Sequence, residues 1–105
     1  MDAKKRRKLE AAGWRVGAAA EFLELTPEES ALIAVKASLG RLIRTKRQRA
    51  RISQQGLAGR IHSSQSRVAK AEAGDASVSL DLIFKAAVAA GAKRSEVATA
   101  IRSPN

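Results

Sequence analysis

The 105-residue chain has no cysteine and no tyrosine, one methionine, two prolines and three aromatic side chains, Trp14, Phe22 and Phe84. Each scarcity excludes something. Without cysteine there is no disulfide and no thiolate metal site, and the usual mark of secretion is missing. Aromatics this sparse do not make a base-stacking surface for single strands. The longest apolar stretch, around residues 86–92, is too short to cross a bilayer, so no membrane partner is expected. The basic N-terminus has no apolar segment behind its charges. It does not read as a signal peptide, and a cytoplasmic location is expected. Alternating β-branched runs are lacking, which leaves strands without a signal. Finally, no acid occurs between residues 36 and 70.

What is present is alanine and positive charge. Hydrophobic residues make up 45% of the chain, and nearly half of them are Ala. Ala favours helix and lets helices pack closely, but a chain this short and this poor in large side chains buries only a thin core. The net charge is +10, and its placement matters more than its size. Residues 1–15 sum to +4, residues 16–35 to −4, residues 36–70 to +10 and residues 71–105 to zero. Ten cations without one compensating acid point to a polyanionic partner, because each neutralised phosphate releases a condensed counterion.

Punctuation divides the chain into helices. Residues 3–12 and 18–25 are helix-prone, with Gly13 and Gly17 between them. Thr26-Pro27-Glu28-Glu29 then gives a capping box, with Pro at the first helical position and two acids on the positive end of the dipole. The spacing predicts a helix over 27–48, with Leu32, Val35, Leu39 and Leu42 as its apolar stripe. Ser53, Ser64, Ser79 and Ser95 stand as caps for further helices over 54–61, 65–73, 80–90 and 96–101, and Gly74 and Gly91 stop two of them. The expected fold class is all-α: a compact five-helix domain over 37–102 behind an N-terminal helical extension over 1–36.

Two helices of about eight residues joined by a tight turn have the spacing of a helix-turn-helix. Leu57, Ala58 and Ile61 supply the inner face of the first, and Val68 and Ala71 that of the second. Gln65, Ser66, Arg67, Ala69 and Lys70 leave the second helix a slim polar face that fits a major groove. The segment ISQQGLAGRIHSSQSRVAKAEAG, Ile52 to Gly74, resembles the helix-turn-helix of the Xre family of Cro and phage-repressor type regulators. The resemblance rests on Ser53-Gln54, Leu57-Ala58, Ile61, Ser64-Gln65-Ser66, Val68, Glu72 and Gly74, and SVSLDLIFKAAVAAGA is similar to the family's fourth helix. It implies a repressor-type five-helix bundle that binds double-stranded DNA as a homodimer and regulates transcription.

By position, the resemblance puts Gln65 in the first turn of the recognition helix, where a Gln grips adenine with two hydrogen bonds. Ser66 and Lys70 are the next base-edge candidates. Arg67 either reads guanine or holds a phosphate. Gln54 matches the residue that holds a backbone phosphate. Ser64, Arg44, Lys46 and Arg60 complete the expected DNA-binding set, and Arg47 and Glu72 match a structural ion pair. There are two departures. The turn position after Ile61, Gly in the family, is His62, which tolerates positive φ at some strain. Gly56 and Gly59 also sit inside the first helix of the motif, at about 1 kcal/mol each.

The extension has its own resemblance. EFLELTPEESALIAVKASLGRLIRTKR is similar to helix-turn-helix antitoxins paired with RelE-like or host-inhibition-of-growth toxins. That implies an alternative role: neutralising a small basic ribonuclease toxin through Glu21, Glu24, Glu28 and Glu29, and autorepressing the operon. Otherwise Phe22, Leu23, Leu25, Leu32 and Val35 extend the core or form a dimer interface. Lys4-Lys5-Arg6-Arg7-Lys8 is either a phosphate-binding arm or a solvated terminus. There is no nucleophile–base arrangement, phosphate loop or metal-ligand spacing. No catalytic residue, metal or cofactor is therefore expected, and the chain does not read as an enzyme.

Overall fold

Helix α1, Pro27–Arg49, begins at the capping box. The Thr26 N–H donates to Glu29 Oε1 and the Glu29 N–H donates to Thr26 Oγ1, both at 3.1 Å. These bonds, the one from the Thr26 backbone first, hold the Glu29 carboxyl below its usual range. The computed structural model describes residues 25–102. Among them are four further helices and no strand: α2 (Gln54–Arg60), α3 (Gln65–Glu72), α4 (Leu80–Ala89) and α5 (Arg94–Arg102). By its contacts the chain divides into two units, Met1–Ala34 and Val35–Asn105, and the core and the candidate site both lie in the second. The helices expected over 3–12 and 18–25, the basic run Lys4 to Lys8, and Trp14, Glu21, Phe22, Leu23 and Glu24 lie outside the described residues.

Three of the four serine caps are in place. Ser53 Oγ accepts the Gly56 N–H at 2.9 Å, Ser64 Oγ the Arg67 N–H at 3.3 Å, and Ser79 Oγ the Leu82 N–H at 3.2 Å. Each satisfies a first-turn N–H that has no partner inside its helix. The fourth expectation fails. Helix α5 starts at Arg94, and Ser95 lies within its first turn. The reason is Glu96, whose Oε1 accepts the Lys93 N–H at 2.9 Å and so sets the start two residues earlier. Glu96 also pairs with Lys46 of α1, tying the last helix to the first. The Lys46 ammonium, then the Lys93 N–H, hold the Glu96 carboxyl below its ordinary value.

Helices α3 and α4 end at left-handed glycines, Gly74 at φ 66° and Gly91 at φ 109°, a backbone region that an L side chain occupies only with strain. Two side-chain-bearing residues also adopt it: Arg51, φ 57°, after α1, and His62, φ 52°, in the turn between α2 and α3. The departure at residue 62 thus keeps the glycine geometry without the glycine. His62 is exposed, so a substitution there reports on backbone strain. His62→Gly is expected to raise stability by up to about 1 kcal/mol, the left-handed strain relieved less the added freedom of the unfolded chain. The check is urea unfolding, with a raised midpoint and an unchanged slope.

The core joins all five helices: Leu39 and Ile43 from α1, Leu57 and Ala58 from α2, Val68 and Ala71 from α3, Ile83, Ala86 and Ala87 from α4, and Val97 from α5, with Val78, Ala90 and Ala92 between elements. The α1 stripe differs from the expected one. Leu39 and Ile43 are its buried members, Val35 and Leu42 are only partly buried, and Leu32 is exposed. Gly40 explains the rotation. It is buried on α1, and the face that carries it turns inward along with Leu39 and Ile43.

Candidate nucleic-acid interface

The position of α3 is set by how closely α1 approaches its end. A Cβ on Gly40 would stand 2.5 Å from the Glu72 carbonyl oxygen and 2.7 Å from that of Ala71, so only glycine permits this contact. The approach puts Arg47 beside Glu72. Arg47 Nε donates to Glu72 Oε2 at 2.5 Å and Nη2 donates to Oε1 at 3.2 Å, a two-point pair. Arg47 Nη1 also holds the Ile52 carbonyl at 2.9 Å, which fixes the loop into α2. The Glu72 side chain is only 5% exposed, and Arg44 Nε approaches its Oε1 at 3.9 Å. The structural pair expected of Arg47 and Glu72 is present.

From Glu72 the chain of bonds runs outward. Gln54 Nε2 donates to Glu72 Oε1 at 3.1 Å, and Gln65 Nε2 donates to Gln54 Oε1 at 2.6 Å. The chemistry permits only this direction. A carboxylate accepts and does not donate, so Gln54 must turn its NH2 to Glu72 and its oxygen outward, and Gln65 must then offer its own NH2. Gln65 keeps its Oε1 and one amide hydrogen unused in this chain. Those are the acceptor and the donor that a bidentate contact to adenine needs. The buried ion pair and the half-buried Gln54 thus orient an exposed recognition side chain before any ligand arrives.

The structure brings together most of the sequence-predicted set. Ser64, Gln65, Ser66, Arg67 and Lys70 are exposed on or beside the first turns of α3, with Val68 and Ala71 buried behind them. Ser64 Oγ lies 3.3 Å from Ser66 Oγ. Arg44 is exposed near Glu72. Two predicted cations are engaged inside the fold instead. Lys46 is paired with Glu96, and Arg60 Nη1 donates to the Ala89 carbonyl at the end of α4, at 3.2 Å. Lys36 is buried with its Nζ 3.3 Å from the Ala76 carbonyl. The basic window therefore presents less charge than its composition suggests: Arg44, Arg49, Arg51, Arg67 and Lys70 are its exposed cations outside these internal bonds.

One residue escaped the sequence reading. Gln55 lines an open cleft with Arg47, Ser53, Gln54 and Gln65. Its only signal was adjacency to Gln54 in the first turn of α2. Among the described residues no group of His, Asp or Glu could hold a metal ion, and no helix is long and apolar enough to cross a membrane. A family model described as a helix-turn-helix domain matches residues 38–100. No curated protein matches the chain, and no solved structure does.

Proposed function

The chain belongs to the helix-turn-helix domain family, and from that membership we propose that it is a sequence-specific, double-stranded-DNA-binding transcriptional repressor acting as a homodimer. Helix-turn-helix domains are typical of DNA-binding proteins that are not enzymes. The observation that carries the finer reading is the Arg47–Glu72–Gln54–Gln65 chain, which holds an exposed amide with a free donor and a free acceptor. Such a side chain loses little freedom on meeting a base edge, which favours discrimination over mere affinity. Arg44, Arg49 and Arg51 supply the sequence-independent part.

Selection of bound sites from random duplex DNA tests the proposal, and a palindromic winner is expected. On that site Gln65→Ala should weaken binding by ~1–3 kcal/mol and relax the preference at one base pair. Arg44→Ala should weaken all sequences alike and reduce the salt slope by about one. Equal affinity of the wild type for the selected site and for random duplex removes the reading.

A second reading concerns the extension. Glu28 and Glu29 are exposed at the start of α1, and so are Leu32 and Ile33 after them. Acids beside uncovered apolar side chains suit a basic protein partner, as an antitoxin against a RelE-like ribonuclease would require. Copurification of a small basic protein with the full chain, lost when residues 1–30 are removed, is the expected result. Retention after that truncation rejects it.

A further inference from the structure

Helix α4 has two apolar stripes, and the core uses only one. Ile83, Ala86 and Ala87 are buried. Leu80, Phe84 and Val88 are 39%, 43% and 44% exposed. At about 100° per residue, apolar side chains four apart fall on one gently drifting line. This line runs beside the buried stripe, and Asp81 and Lys85 border it on the solvent side. Neither of these charges takes part in an ion pair among the described residues.

The pattern reads the same from both ends. Phe84 lies midway between Leu80 and Val88. A two-fold axis at Phe84 sets it against its own copy and sets Leu80 against Val88 of the second copy. In an antiparallel helix pair like flanks face each other, so Asp81 of each copy meets Lys85 of the other, twice. An isologous interface requires this self-complementarity. A foreign partner selected by charge would be met by a rim of one sign, whereas this rim carries one acid and one base.

We propose that the Leu80–Phe84–Val88 stripe of α4, flanked by Asp81 and Lys85, is the surface on which two copies of this chain pair antiparallel. The inference rests on the homodimer reading above and adds the surface. A ten-residue helix spans about 15 Å, so one such pair covers less than the roughly 1,200 Å² that stable interfaces start from. The free dimer is therefore weak, and a palindromic site that holds two copies side by side strengthens it through effective concentration.

Sedimentation equilibrium of the full chain across the micromolar to millimolar range tests this. The wild type is expected to show a reversible monomer–dimer equilibrium, weakened at least ~30-fold by Phe84→Glu. Asp81→Lys alone and Lys85→Asp alone should each weaken it about tenfold, by placing like charges opposite each other. An equimolar mixture of those two variants should associate again, because the mixed pair restores both attractions. All three positions are exposed, and unchanged helical circular dichroism verifies the fold. If the wild type dimerises and the variants match it, or if the mixture associates no better than either variant alone, this surface is overturned while the homodimer stands. A wild type that stays monomeric throughout overturns the inference and leaves residues 1–24 or a foreign protein to cover the stripe. The homodimer reading itself fails separately, if the selected DNA site takes up a single copy.

Discussion

Gly40→Ala is expected to destabilise the fold by about 3 kcal/mol, although Ala is the better helix former. The two effects have opposite signs. In a helix interior the change favours folding by about 1 kcal/mol through propensity. Against this, the new Cβ would meet the backbone carbonyls of Glu72 and Ala71 at 2.5 and 2.7 Å. No flexible side chain can move aside there, so α1 and the end of α3 must separate. Overpacking of this kind costs roughly 1–3 kcal/mol and occasionally more. Separation also stretches the Arg47–Glu72 bonds next to it, which puts the total near or above the upper end. Gly59→Ala is the control, because a Cβ there meets nothing within 4 Å. It should stabilise by up to about 1 kcal/mol. Urea midpoints of the two variants should therefore move in opposite directions. A Gly40→Ala protein as stable as the wild type would mean that the close approach of α1 to α3 does not set the geometry.

That contact also shows where the sequence was readable. Helix starts marked by a serine hydroxyl were legible, because Ser53, Ser64 and Ser79 act on an N–H only three residues on. So was the polar face of α3, because Val68 and Ala71 leave only one side of an eight-residue helix to bury. The α1 stripe came out rotated, since Leu42 and Ile43 are adjacent and equally apolar. The deciding residue was Gly40, whose burial leaves no hydrophobic signal. Lys46 and Arg60 read as interface cations because their partners, Glu96 and the Ala89 carbonyl, lie far along the chain and are recruited only by packing. The start of α5 was missed for a different reason. Ser95 resembles a cap, but Glu96 does the capping backwards, through its side chain. At the site, the resemblance marked Gln54, Gln65, Arg47 and Glu72 one by one. That all four form a single hydrogen-bonded chain depends on distances no spacing rule contains.

The chain of four permits a separation of folding from recognition, through Glu72. Glu72→Ala should cost about 3–5 kcal/mol, because it strands a half-buried guanidinium without its carboxylate, and the loss of one partner is far more costly than the loss of both. For a domain of this size that is most of the stability. Arg44 does not compensate. It is well exposed, and its 3.9 Å approach to Glu72 is screened by water. Replacing both partners, Arg47→Leu with Glu72→Leu, removes the charges together and fills part of their volume. Stability should then return to within about 1–2 kcal/mol of the wild type. DNA preference should not return. Gln54 would have lost the acceptor that fixes its amide, so its oxygen would no longer be held toward Gln65 Nε2, and Gln65 would meet the base edge unoriented. The double variant is thus expected to fold, to keep its salt-dependent affinity for random duplex, and to lose roughly tenfold or more of its preference for the selected site. Urea unfolding paired with competition between selected and random duplexes measures both halves. A double variant with full site preference would show that Gln65 reads its base without the support of Gln54, and that the buried pair serves the fold alone.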